Sequence, residues 1–135
     1  MKKKIAGLIE KSISACAAAG LWADDGLSFV EVETPASELH GDFSSNAAMV
    51  LASRVKQNPR SIAGAIRDHL DDPEGILEKT EIAGPGFLNF FIKDALWQKN
   101  IKDILEAKDN YGRSNLGGGK KVQVEFVSAN PTGPL

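Results

Sequence analysis

The sequence is poor in the residues that build most metal and redox centres. Cys16 is its only cysteine, which excludes an intramolecular disulfide and any cysteine-based zinc site. A lone thiol fits a reducing compartment, and the chain is expected to be cytoplasmic. The two histidines, His40 and His69, lie far apart and lack ligand-like spacing, so no metal site is expected. No apolar run approaches the roughly 20 residues of a membrane span. Lys2, Lys3, Lys4 and Ile5 resemble the head of a signal peptide, but Glu10 and Lys11 interrupt the run that should follow. Neither a targeting segment nor a membrane partner is expected. Charge of one sign is also lacking: 16 basic residues face 18 acidic ones, for a net charge of −2. A protein that held RNA mainly by its overall field would be basic, so any RNA contact here must be local and shape-dependent. Internal repeats and low-complexity tracts are absent.

What is present is ordinary for a soluble globular protein, with 42% hydrophobic and 25% charged residues. A length of 135 residues fits one domain. The most informative stretch is Gly84-Pro85-Gly86-Phe87-Leu88-Asn89-Phe90-Phe91-Ile92. Gly-Pro-Gly predicts a turn, because Pro85 fixes its φ and Gly86 leaves φ free. Aromatic and aliphatic residues then predict a strand. Alternation puts Leu88, Phe90 and Ile92 on one face, which can bury, and Phe87, Asn89 and Phe91 on the other. An amide flanked by aromatic rings is the surface expected of a reader of unpaired bases. Rings stack on a base, worth about 1–3 kcal/mol each, and the amide pairs with its edge. The alternative is a central strand buried on both faces, with Asn89 satisfied by backbone.

Around this stretch the chain predicts an α+β fold: an antiparallel sheet of three to four strands with helices packed on one face. Ile5, Leu8, Ile9, Ile13 and Cys16 mark a helix over residues 2–19, stopped by Gly20. Its lysines serve as solvated charge or as phosphate contacts. Val30 and Val32 alternate with Glu31 and Glu33 in a short strand over 28–33, whose glutamates form a solvated outer face. A polar loop over 38–46 leads into a helix capped by Ser44 or Ser45, with Ala48, Leu51, Ala52 and Val55 as its buried stripe. Gly41, Asp42 and Ser44 lack the spacing of a Walker loop. Asn58 and Pro59 start a further helix with Ile62, Ile66, His69 and Leu70 on its stripe. Residues 76–83 predict the partner strand of a hairpin closed by Gly84-Pro85-Gly86. Asp94 caps a last helix to about Ala107, with Trp97, Ile101, Ile104 and Leu105 at helical spacing. Three glycines, Gly117 to Gly119, end a linker and precede a strand over 120–127. The expected division is therefore 1–112, a linker over 113–119, and 120–135 as the start of a second domain.

The tail, Val124-Glu125-Phe126-Val127-Ser128-Ala129-Asn130-Pro131-Thr132-Gly133-Pro134-Leu135, resembles the start of the catalytic domain of arginyl-tRNA synthetase. That family is a class I aminoacyl-tRNA synthetase, and its motif continues into a His-x-Gly-His signature beyond this sequence. Gly41-Asp42-Phe43, Asn46-Ala47-Ala48-Met49, Asn58-Pro59 and Gly84-Pro85-Gly86-Phe87-Leu88-Asn89-Phe90 resemble the same family's N-terminal additional domain. The resemblance implies a domain that contacts the tRNA elbow, where the D-loop presents an unpaired base. Phe87 and Asn89 match the positions that stack on and hydrogen-bond to that base. Gly84 matches a nearby tRNA-contacting position that is asparagine in some members, so the glycine departs from the pattern. Glu125 matches a carboxylate that helps hold the guanidinium of arginine, a fork-shaped permanent cation. Ser128 and Asn130 match positions near the arginine amino group. The whole protein is expected to join arginine to its tRNA using ATP with magnesium, through an arginyl-adenylate. This stretch alone is expected to carry no catalytic residue, no cofactor and no ligase activity. With the resemblance, base reading becomes the favoured role for Phe87 and Asn89. The competing expectation is a protein-interaction domain, or a generic RNA-binding module without tRNA specificity.

Overall fold

A computed structural model describes residues 1–23 and 30–124. The element order is α1 (Lys2–Ala18), β1 (Phe43–Ser45), α2 (Ala47–Val55), α3 (Pro59–Asp68), β2 (Leu77–Ala83), β3 (Phe87–Ile92) and α4 (Asp94–Ala107), with short 3-10 turns at Glu38–His40 and Lys108–Asn110. Residues Met1–Asn100 form one compact unit and Ile101–Leu135 a second. The sheet and the cleft described below lie in the first.

The sheet has three antiparallel strands in the order β1-β3-β2. β3 is central because its inner residues have the most to bury. Leu88 and Phe90 are fully buried and Ile92 nearly so. They pack against α2 and α3, whose small residues Ala47, Ala48, Ala52 and Ala63 let helix backbones approach closely. α1 packs on α3, so Ile5, Ile9, Ile13 and Cys16 close the core from the far side. Two polar ties fix that contact: Ser12 Oγ donates to the Ile66 carbonyl at 2.6 Å, and Cys16 Sγ lies 3.4 Å from the Ala65 carbonyl. Burial pushes the Cys16 thiol above its ordinary pKa.

Local chemistry explains the boundaries. Asn58 Oδ1 accepts from the N–H groups of Arg60 and Ser61, at 2.9 and 3.3 Å, and Pro59 occupies the first helical position of α3. The N-cap of α2 is Asn46 rather than Ser44 or Ser45, and it makes no side-chain cap bond; Ser45, one residue earlier, accepts from the Ala47 N–H at 3.3 Å. The β2–β3 hairpin closes through Gly84 and Gly86, both at positive φ. A Cβ on Gly86 would lie 3.0 Å from the Pro59 carbonyl oxygen, so the turn is seated against the start of α3.

Three expectations need correction, and one helical pattern is buried only in part. Residues 38–46 are not wholly loop: Phe43–Ser45 is the edge strand β1, too short to show alternation. The strand expected over 28–33 reduces, in its described part 30–33, to one isolated bridge between Glu33 and Ser44; residues 28 and 29 lie outside the described residues. On α4, Trp97 is half-buried and stacks on Phe43 at 6.3 Å, whereas Ile101, Ile104 and Leu105 are exposed. Helical spacing alone does not bury a stripe; a partner must cover it. Residues 120–124 form no strand, since a ladder needs a neighbour, and residues 125–127 lie outside the described residues.

Candidate functional site

The outer face of β3 is built by pairing. In the antiparallel register Asn89 faces Ser44 of β1 on one side and Glu81 of β2 on the other. Ser44 in turn bridges to Glu33 through reciprocal backbone hydrogen bonds of 2.9 Å. Directly opposed residues share a sheet face, so Glu33, Ser44, Asn89 and Glu81 form a polar row across it. Phe87 and Phe91 flank the row along β3.

β1 is held in place by the segment before it. Gly41 adopts φ +81°, and a Cβ there would lie 2.6 Å from the Phe90 carbonyl oxygen. That approach lets the Asp42 N–H donate to the same carbonyl at 2.9 Å, while Asp42 Oδ2 accepts from the Ile92 N–H at 2.8 Å. Gly41 and Asp42 therefore fasten β1 to β3.

A cleft of about 370 Å³ opens on this face, lined by Glu33, Pro35, His40, Ser44, Ala83, Gly84, Pro85, Phe87 and Asn89. The volume falls within the range of small-molecule sites. Three residues singled out from sequence, Gly84, Phe87 and Asn89, meet in it. Phe87 is 39% exposed, a large ring left open to solvent. Asn89 is only 3% exposed and lines the cleft. Its Oδ1 accepts from Ser44 Oγ at 2.8 Å, so its oxygen is satisfied by a side chain. Gly84 supplies backbone and space, and its carbonyl accepts from Arg60 Nη1 at 2.6 Å. Arg60 is exposed and places a guanidinium beside the turn.

Phe91 does not extend the surface. Its ring is covered by Lys79 Nζ, 4.1 Å from the centroid, and Lys79 also pairs with Glu81 at 2.6 Å. The cleft thus offers the Phe87 ring, the Asn89 carboxamide and a glycine turn, with Glu33, His40 and Ser44 also in its lining. Glu33, His40 and Ser44 were not marked as site residues by sequence. The Ser44 register and the Glu33 bridge are long-range pairings that no local pattern discloses. Glu125, Ser128 and Asn130 lie outside the described residues. Among the described residues no group of three or more His, Cys, Asp or Glu side chains comes together, and no helix is long and apolar enough to cross a membrane.

Fold and cleft place the chain among small α+β domains that carry an aromatic- and amide-lined cleft on the outer face of a three-stranded sheet. The chain belongs to the arginyl-tRNA synthetase N-terminal domain family, whose family model matches residues 3–92. Arginine–tRNA ligase of Geotalea daltonii is 46% identical over 135 residues, and that of Desulfosudis oleivorans 50% identical over 135. Both matches span 100% of this chain and 24% of the relative, so the chain covers about a quarter of their length. Among solved structures, arginyl-tRNA synthetase from Plasmodium falciparum superposes with a TM-score of 0.62 at 18% identity, over 76% of this chain and 18% of that one. The Thermus thermophilus enzyme gives 0.57 at 21% identity, over 73% and 15%. These two likenesses establish the fold.

Proposed function

We propose that this chain is the tRNA-elbow-binding domain of an arginine–tRNA ligase, and that its cleft reads an unpaired D-loop base. Phe87 stacks on the base, Asn89 hydrogen-bonds to its edge, and Gly84 leaves room for the base at the turn. The observation that carries this reading is the convergence of those three residues in one cleft, which combines an open ring with a buried amide. A planar heterocycle suits that combination, because the ring takes its face and the amide its edge.

The parent protein joins arginine to its tRNA in the cytoplasm, using ATP with magnesium. Within it, residues 1–112 form the elbow domain, 113–119 a linker, and 120–135 the start of the catalytic domain. Glu125 holds the substrate guanidinium there, with Ser128 and Asn130 near the arginine amino group. This chain's own part in that reaction is to bind and orient RNA. Relatives named arginine–tRNA ligase, four times longer than the matched region, support this division of labour.

The test is an NMR titration of the chain with unmodified tRNA for arginine and with a D-loop base variant. Shifts should cluster at residues 84–91 and disappear with the variant. Phe87→Ala should weaken binding by about 1–3 kcal/mol, the worth of one stacked base. Diffuse shifts at the lysines, equal for both RNAs, would instead make the chain a generic RNA binder and overturn base reading.

A further inference from the structure

We propose that Ser44 is a positioning residue of the cleft: it locks the Asn89 carboxamide with the NH2 group toward the ligand. The cleft then selects a base edge that presents a hydrogen-bond acceptor at that point. This rests on the base-reading role proposed above.

A carboxamide is ambiguous, since half a turn about its last torsion exchanges a donor for an acceptor. An unrestrained asparagine would accept either kind of base edge. Here Ser44 Oγ donates to Asn89 Oδ1 at 2.8 Å; a hydroxyl can also accept, but in this arrangement the oxygen is taken and the NH2 is the free end. The hydroxyl is not on a mobile loop. Ser44 N–H and C=O both bond to Glu33 at 2.9 Å, so they point away from β3. Ser44 and Asn89 are therefore a non-hydrogen-bonded pair, the kind in which opposed side chains come closest. Both residues line the cleft. At 3% exposure Asn89 also has little room to turn once the lock is made. Ser45 is committed elsewhere, donating to the Glu31 carbonyl at 2.7 Å, so it cannot take over the role.

The experiment measures binding of tRNA transcripts that differ at the one D-loop base, using the wild-type chain, Ser44→Ala and Ser44→Thr. Ser44→Ala should reduce the preference for the favoured base by about tenfold, the scale of one correctly polarised hydrogen bond. Melting temperature should fall modestly, because the nearly buried Asn89 oxygen loses its partner, while the folded chain's affinity for the disfavoured transcripts should stay near wild type. Ser44→Thr keeps a hydroxyl and should keep the preference. Asn89→Asp is an independent probe: Ser44 still donates to one oxygen, the other faces the cleft as an acceptor, and the preference should move toward bases with a donor at that position. Full discrimination in Ser44→Ala overturns the lock while leaving base reading intact, whereas an unchanged base order in Asn89→Asp removes Asn89 as the edge reader and the lock with it. A wild-type chain that binds all transcripts alike overturns both.

Discussion

The two faces of β3 are made from the same six residues but obey different rules. The inner face, Leu88, Phe90 and Ile92, is apolar, buried and satisfied by contact alone. The outer face, Phe87, Asn89 and Phe91, mixes an exposed ring, a buried amide and a ring covered by a lysine. Burial of the inner face needs only hydrophobic residues of suitable volume. The outer face needs named partners: Ser44 for Asn89, Lys79 for Phe91, and open space for Phe87. If the outer face reads a base as proposed, one strand separates stability from recognition by the two-residue period of its side chains.

Phe90→Ala breaks that separation hardest. Phe90 is fully buried, and truncating such a ring costs about 3–5 kcal/mol. Urea unfolding should show this loss, and tRNA binding should fall only as far as the folded fraction falls. Phe87→Ala should do the reverse, lowering affinity with little change in stability, because its ring is already 39% exposed. Equal stability losses from the two substitutions would mean that the outer ring is core as well.

Gly41→Ala tests the joint between the faces. Positive φ and a Cβ 2.6 Å from the Phe90 carbonyl oxygen both oppose an alanine there. Together they should cost about 2–3 kcal/mol, the scale of backbone strain with a displaced contact. Because Gly41 and Asp42 fasten β1 to β3, Ser44 should also lose its register against Asn89. Thermal melting should report the first effect and base discrimination the second. A variant that melts like wild type would show that the close approach is not required.

The inner face was legible in the sequence, and the outer face only in part. Alternation alone placed Leu88, Phe90 and Ile92 inward, and capping chemistry placed α3 at Asn58 and Pro59. Phe87 and Asn89 stood out as residue types, and the family resemblance tied them to a base. Their environment was not legible, because it depends on which strand lies beside β3. β1 has three residues, too few for a periodic signal, and it comes from a stretch whose Gly, Asp and Ser content predicts a loop. Glu33 has the same history: as a strand residue it looked like solvated charge, and the bridge to Ser44 brings it to the cleft. The exposed Ile101, Ile104 and Leu105 show that residues at clean helical spacing need not be buried.

The smallest expected effect sharpens the outer face itself. Phe91 shares a face with Phe87, and by alternation both could form a stacking platform. Lys79 sits over the Phe91 ring at 4.1 Å, and Phe91 does not line the cleft. Lys79→Met removes the cation but keeps an unbranched apolar stem over the ring. The exposed cation–π contact and the Glu81 ion pair together contribute about 0.5–2 kcal/mol, so melting should move slightly. D-loop base discrimination should not move at all, since the ring surface uncovered lies outside the cleft. If Lys79→Met instead changes discrimination as much as Phe87→Ala does, Phe91 is a second stacking ring and Lys79 its cover. The recognition surface would then run the length of β3 rather than end at Asn89.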